Sequence, residues 1–388
     1  MNSQSVDLLY LDPPFNSKRD YAAPIGSEAA GAEFKDTWAL SDIDNEWVNL
    51  IAEKHPALHR VLLAATTKSD KSYLVYMAAR MLEMHRLLKP TGSIYLHCDP
   101  TMSHYLKLVM DAIFGRKNFR REIIWHLRGA SGFKSLTQNW VRGHDVILYY
   151  AITKDVTFNK QWLDYDEAQM KRFSKVDNYG RKYKPITKTR RLYLDEAKGV
   201  PATSVWSDIA SFQTVINSPE RLGYPTQKPL KLLERIISAS SHENDMVLDP
   251  FCGCATAPVA AELLGRQWVG IDIAPKAADL VQYRLNRGEV GEVLYKPILR
   301  DDLPQRTDLG TLPKYNSLQN KKYLYGEQDG YCAGCKDHFQ VQHLEVDHII
   351  SRNKGGTDHI ANLQLLCGNC NRIKGDRGMG YLRIQLQL

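Results

Sequence analysis

Residues 244–272 constrain the fold more than any other stretch of this chain. Met246-Val247-Leu248 reads as a short buried strand leading into Asp249-Pro250-Phe251-Cys252-Gly253-Cys254-Ala255-Thr256, a loop of small residues. A helix is predicted from there through Ala257 and Pro258 to Leu264, with Gly265 ending it. Gln267-Trp268-Val269-Gly270-Ile271-Asp272 is a second strand closing on an acid. Strand, tight loop, helix, strand and acid make the nucleotide-type half of a doubly wound α/β fold. The acid falls roughly 20 residues past the loop, where a carboxylate grips ribose hydroxyls. The loop is poor in glycine, which argues against a pyrophosphate ligand and for a small nucleoside cofactor approached by backbone.

The apolar run Val6 to Leu11 ends at Asp12-Pro13-Pro14-Phe15. Proline fixes φ and lacks an N–H, so the carbonyls of the pair point in set directions. The Asp12 carboxylate and a carbonyl of the pair can accept the two hydrogens of a planar exocyclic amine, with Phe15 stacking on its ring. A polar turn after a strand is the plainer reading of four residues alone. In Thr226-Gln227-Lys228-Pro229, Lys228 stands at the entrance of an amphipathic stretch, Leu232 to Ala239, where it can hold a carboxylate or polar tail.

The rest of the chain alternates in the same style. Helices are expected over Ser72 to Leu88 and Tyr105 to Phe114, and strands over Ser93 to Cys98, Glu122 to His126 and Val146 to Tyr150. The alternation predicts parallel strands. Lys154 to Lys198 breaks the pattern, with Lys171, Arg172, Lys175, Arg181 and Lys182 interleaved with Phe173, Tyr179 and Tyr183. A solvated loop and a phosphate-contacting surface are the two readings of that run. The net charge of +7 permits a polyanionic partner.

In their order along the chain these motifs resemble the permuted, β-class amino-methyltransferases of DNA, which use S-adenosylmethionine. Asp12-Pro13-Pro14-Phe15 and Leu87 to Pro100 resemble that family's catalytic half, and Gly143 to Tyr150 its later strand. Thr226-Gln227-Lys228-Pro229 and Asp249-Pro250-Phe251-Cys252-Gly253 resemble its cofactor half. The resemblance implies a Rossmann-like sheet with helices on both faces. It assigns catalysis to Asp12, Pro13, Pro14 and Phe15. It assigns S-adenosylmethionine binding to Thr226, Gln227, Lys228, Pro229, Asp249, Pro250, Phe251, Gly253 and Asp272. Aspartate ahead of Pro-Pro implies adenine, and double-stranded DNA is the implied partner, its target base leaving the duplex. Two departures stand out: Ala255 replaces the family's second loop glycine, and the strand and acidic loop usual before the catalytic strand have no counterpart ahead of Leu8, so a truncated or misassigned start is expected. The insert over about 154–215 falls where the family recognises its target.

Near the C-terminus, Cys332, Cys335, Cys367 and Cys370 form two close pairs. Four thiolates so spaced suit structural, tetrahedral zinc, which a module of about 65 residues needs for stability. Between them lie Val346-Asp347-His348-Ile349-Ile350 and Gly355 to Leu363. A DNA-binding zinc ribbon is one reading. The segment also resembles the four-cysteine HNH endonucleases, a small ββα-metal fold. That resemblance makes His348 the general base and Asn362 the residue that orients it and braces the loop. Asp347 and Asn371 become ligands of a catalytic divalent ion, Mg2+ or another.

The domains expected are a methyltransferase over 1–299, a linker over 300–323 and an HNH module over 324–388. No apolar run spans a membrane and no export signal precedes Leu8, so a soluble cytoplasmic protein is expected, with a homodimer allowed; mean hydropathy is −0.40. The implied activity is adenine-specific methylation joined to DNA cleavage in restriction–modification. The alternatives are methylation of cytosine N4 or of RNA, or a methylase-inactive DNA-binding protein with a zinc module.

Overall fold

The computed structural model describes the chain except residues 19, 25, 31, 39–47, 49, 50, 53, 130–135, 137, 216, 287–296, 301–305, 307, 309–311 and 388. Much of the expected linker, including Asp301, Asp302, Leu303 and Pro304, lies outside the described residues.

Seven strands form the main sheet: β1 (Val6–Leu11), β2 (Leu88–Cys98), β3 (Phe119–His126), β4 (His144–Ala151), β5 (Val205–Trp206), β6 (Met246–Asp249) and β7 (Gln267–Gly270). Their order is β5-β3-β4-β2-β1-β6-β7. β1 lies between β2 and β6, parallel to both. All six of its residues are buried, as expected of a strand covered on both faces. Successive side chains alternate between two cores. Leu9 and Leu11 join the core covered by α1 (Pro56–Leu63), α2 (Lys68–Leu87) and α3 (Ser103–Met110). Leu8 and Tyr10 join the core covered by α4 (Leu230–Ser240) and α5 (Thr256–Leu263). Truncating Leu9 to Ala in such a site costs about 2–5 kcal/mol.

The expectation of uniformly parallel strands is corrected at one place. β4 runs antiparallel to both β2 and β3. No crossover helix lies among the described residues between β3 and β4, and a parallel pair needs a long crossover. The sheet is therefore mixed. Helix α2 also passes into β2 without a turn, so the strand begins at Leu88 rather than Ser93.

The insert carries short strands, among them Lys182–Pro185 and Arg191–Tyr193 in a three-stranded antiparallel sheet, and one helical turn over Glu167–Met170. The C-terminal module is a hairpin of β8 (Leu344–His348) and β9 (Leu363–Cys367). Around it pack α7 (Leu318–Glu327), α8 (Gly368–Lys374) and α9 (Met379–Gln385), over a core of Leu344, Leu365, Leu366 and Leu382. The remaining major helix, α6 (Pro275–Asn286), follows β7. No described helix is long and apolar enough to cross a membrane.

Candidate functional site

β1 and β6 are parallel neighbours, with Leu9 opposite Leu248. β1 stops one residue short of Asp12 and β6 ends on Asp249, each aspartate being followed by proline, so Asp12-Pro13 and Asp249-Pro250 leave the sheet side by side. Ligands of open α/β sheets bind outside the carboxyl ends of the strands. A cleft of about 790 Å³ lies there, lined by Asp12, Pro13, Pro14 and Phe15 from one strand end and by Asp249, Pro250, Phe251 and Gly253 from the other. Thr226, Gln227, Lys228 and Asp272 complete it. Of the residues expected to bind cofactor, Pro229 alone is off this wall; it caps the N-terminus of α4.

Asp12 is held through one of its two carboxylate oxygens. Its Oδ2 accepts from Lys228 Nζ at 2.5 Å, and the same ammonium donates to the Thr226 carbonyl at 3.0 Å. Lys228 thus holds a carboxylate, but one belonging to the chain. Asp12 Oδ1 is buried without a hydrogen-bond partner among the described residues, a costly state for a carboxylate oxygen unless a ligand supplies a donor. Phe15 stacks on the His97 imidazole at 5.7 Å between centroids. The loop beyond is fastened by Asp36, which is 1% exposed. Its two oxygens accept from the Asn16 and Ser17 amides at 2.8 and 2.7 Å. Trp38 Nε1 donates to the same carboxylate at 3.0 Å. Neither Asp36 nor His97 carries a spacing that points to this role from sequence.

On the other wall, Asp249 Oδ1 accepts from the Phe251 amide at 3.0 Å. Burial pushes the Asp249 carboxyl well above the usual carboxylate range. Gly253 has φ of +47°, and a Cβ there would sit 3.0 Å from the Tyr224 ring. Its amide donates to Asp272 Oδ2 at 2.9 Å, while Asp272 Oδ1 accepts from the Ala274 amide at 2.8 Å. Asp272 therefore sets the loop's shape as well as facing the cleft. Ala255 takes the left-handed conformation, φ +67°, that the expected glycine would adopt more easily. The buried Arg284 guanidinium donates to the Cys254 carbonyl and Thr256 Oγ1 behind this turn. Gln227 is spent on its own segment: Oε1 accepts from the Leu222 amide and Nε2 donates to the Glu220 carbonyl.

In the insert, Tyr179 is 90% exposed, and Lys171, Arg172 and Lys175 face solvent. Arg181 is not free to meet a phosphate, being paired to Asp195 and Glu196. Phe173 is buried, packed on Tyr165 with the Lys184 ammonium over its ring.

In the C-terminal module, the ligand atoms of Cys332, Cys335, Cys367 and Cys370 all lie within 4.8 Å of one another. That arrangement is compatible with tetrahedral zinc. His348 ends β8, and its Nε2 lies 2.9 Å from Asp358 Oδ1. Asp358 is gripped by the Arg352 guanidinium, which holds its carboxyl below the usual range. Asn362 braces the intervening loop. Its Oδ1 accepts from the Ile350 amide at 3.0 Å, and Nδ2 donates to the Ile350 and Thr357 carbonyls at 2.9 Å. Its described hydrogen bonds do not include one to His348, so Asp358 is the partner that orients the imidazole. Gly356 is required there, since a Cβ would fall 1.7 Å from the Ile350 carbonyl oxygen. Asp347 Oδ2 meets Gln364 Nε2 at 2.9 Å and Lys374 Nζ at 3.1 Å. Asn371 turns its amide nitrogen to Glu345 at 2.6 Å.

Residues 6–283 match the family model described as DNA methylase, and residues 332–377 match that of HNH endonuclease. The type II methyltransferase M.EcaI of Enterobacter cloacae is 29% identical, over 58% of this chain and 60% of the relative. M1.MboII of Moraxella bovis, also a type II methyltransferase, is 27% identical over 75% of this chain and 93% of its own length. The DNA adenine methyltransferase YhdJ of Escherichia coli is 24% identical over 70% and 73%. The chain thus spans about three-fifths of the first relative and nearly all of the second. With the family model covering well over half of the sequence, this chain belongs to the DNA methylase family and carries an HNH module at its C-terminus.

Proposed function

We propose that the chain methylates the N6 amine of adenine in double-stranded DNA, with S-adenosylmethionine as donor. The observation that carries this reading is the buried, unpartnered Asp12 Oδ1 beside Phe15, in the same cleft as the Asp249–Gly253 loop. When bound, S-adenosylmethionine supplies a methyl group activated by its sulfonium. Asp249, Phe251, Gly253 and Asp272 would hold it, with Thr226 at the cleft's edge. Asp12 Oδ1 accepts one hydrogen of the target amine and the Pro13 carbonyl the other, which draws the nitrogen lone pair out of conjugation. Phe15 stacks on the extruded base, offsetting part of the few kcal/mol that extrusion costs. Positioning of this kind can contribute roughly 7–11 kcal/mol.

Aspartate ahead of the proline pair supports adenine over cytosine N4, as does the likeness to a relative named for adenine. The insert over about 154–215 would contact the target through its exposed lysines and arginines, between a catalytic and a cofactor half within 1–299. After a linker over 300–323, the HNH module over 324–388 would cleave DNA in a restriction–modification role. There zinc on Cys332, Cys335, Cys367 and Cys370 stabilises the fold. His348 would activate water as general base. Asp347 and Asn371 would offer oxygen ligands to a hard divalent ion such as Mg2+.

One experiment tests both activities. The protein is incubated with labelled S-adenosylmethionine and either unmethylated duplex DNA or RNA, and the products are digested to nucleosides. Label in N6-methyladenine from DNA is expected. Label in N4-methylcytosine, or only in RNA, overturns the substrate. Parallel incubations with Mg2+ should give strand breaks that His348→Ala abolishes.

A further inference from the structure

Behind Phe15 lies a row of polar side chains that the chemistry above does not use. Tyr10 Oη is 2.9 Å from His97 Nδ1, and His97 Nε2 is 3.1 Å from Asp145 Oδ2. Asp145 Oδ1 is paired with the Arg142 guanidinium, which also lies 3.7 Å from Asp99 Oδ2. His97 is fully buried, and Tyr10 and Asp145 are 2% and 4% exposed. Each residue sits on a different part of the sheet: Tyr10 on β1, His97 on β2, Asp145 on β4.

Burying a carboxylate and an imidazole is costly, and an apolar filling of the same volume often serves stability equally well. Here both ring nitrogens are engaged, so the imidazole cannot rotate about its Cβ–Cγ bond without losing two buried hydrogen bonds. One face of that fixed ring carries Phe15, with planes 26° apart. The Trp125 ring meets it edge-on at 5.7 Å and 85°. The Arg142 guanidinium carbon stands 5.8 Å from the Phe15 centroid, so the outer end of the row returns to the same aromatic.

We infer that His97 is a positioning residue for methyl transfer. Tyr10 and Asp145 lock the imidazole plane, and that plane sets the plane in which Phe15 presents itself to the extruded base. The inference rests on the methyltransferase reading above, with Phe15 as the stacking surface. It assigns the row a role in turnover rather than in cofactor capture, because no member touches the Asp249–Gly253 loop through a described hydrogen bond.

The test uses the full chain, unmethylated genomic DNA and labelled S-adenosylmethionine. Tyr10→Phe, Asp145→Asn and His97→Leu are compared with His97→Phe, which keeps an aromatic face under Phe15. Cofactor affinity by calorimetry and melting temperature are read beside kcat and KM for DNA. The expected result is a fall in kcat on the order of tenfold for Asp145→Asn and His97→Leu. Cofactor affinity stays within twofold, KM for DNA is little changed, and His97→Phe is several-fold faster than His97→Leu. Should Asp145→Asn fail to fold, Tyr10→Phe removes a single buried hydroxyl and is expected to lower kcat at least threefold. Folded variants with unchanged kcat overturn the inference, as does equal loss in His97→Phe and His97→Leu. Asp12→Ala run alongside separates the two failures. If Asp12→Ala retains transfer, the methyltransferase reading itself falls; if it is inactive while the row's variants are not, only the role of His97 falls.

Discussion

Lys228 Nζ stands 2.5 Å from Asp12 Oδ2, across 216 residues of sequence. The pair joins the two halves of a permuted chain at the cleft between them. Lys228 fixes one carboxylate oxygen and leaves the other buried without a hydrogen-bond partner among the described residues. Asp12→Ala is therefore expected to abolish methyl transfer while cofactor affinity, measured by calorimetry, survives within a few-fold. Lys228→Met strands a carboxylate whose side chain is only 15% exposed, a loss of about 3 kcal/mol in unfolding free energy. Combining the two should recover part of that loss, because the stranded charge is gone. Additive losses in denaturant titrations would mean that the pair is not coupled.

Asp249 gives a pH prediction with a definite sign. Burial raises its carboxyl well above the usual carboxylate range in the folded protein. The folded state then binds a proton that the unfolded chain, with a carboxyl pKa near about 4, has already released. Its contribution is fully favourable below that unfolded value and is lost as pH rises through the folded one. Asp249→Asn removes this dependence. The stability of the variant minus that of the wild type, from denaturant unfolding at pH 5 to 8, should grow with pH. A difference that stays level across the range would show that Asp249 titrates normally.

The four cysteines predict a module that depends on metal. Their ligand atoms lie within 4.8 Å of one another, and the surrounding core is small. Zinc on such a site contributes on the order of 10 kcal/mol to folding. Strong chelation, or Cys370→Ala, should melt the C-terminal module alone. Calorimetry would register the loss of one transition, metal analysis the loss of one zinc per chain, and methyl transfer would continue. A C-terminal transition unmoved by chelation would make the cysteines ordinary packing.

Much of this site is legible in the sequence because its signals are local. The all-apolar run Val6 to Leu11 announces a strand buried on both faces, and Asp-Pro at two strand ends marks both sides of the cleft. What escapes reading is long-range or directional. Residue periodicity carries no strand direction, so the reversal of β4 is invisible. Asp36 acts through the backbone amides of Asn16 and Ser17, and backbone donors leave no trace in composition. His97 lies in a buried strand where histidine is unremarkable until Tyr10 and Asp145 are seen at its two nitrogens. Asn362 bonds the Ile350 and Thr357 carbonyls, while the bond to His348 belongs to Asp358, ten residues on in the loop.

That bond supplies the last prediction. Asp358 Oδ1 accepts from both His348 Nε2, at 2.9 Å, and Arg352 Nε, at 2.7 Å. The Arg352 pairing keeps the carboxyl ionised, below its usual range. A charged partner on one ring nitrogen fixes the tautomer and the orientation of the imidazole. If His348 activates water in this module, Asp358→Asn should slow metal-dependent cleavage of DNA by roughly 10- to 100-fold, a part of the roughly 100- to 10,000-fold that a positioned base contributes. Arg352→Met should act in the same direction but less, since it loosens Asp358 without removing it. Neither change touches the methyltransferase cleft, so labelled methyl transfer serves as the internal control. Asn362→Ala should differ in kind: it frees the loop between Ile350 and Thr357 and lowers the melting temperature of the module along with its cleavage. Cleavage by Asp358→Asn at the wild-type rate would leave His348 without an orienting acid and move the search for the base elsewhere in the hairpin.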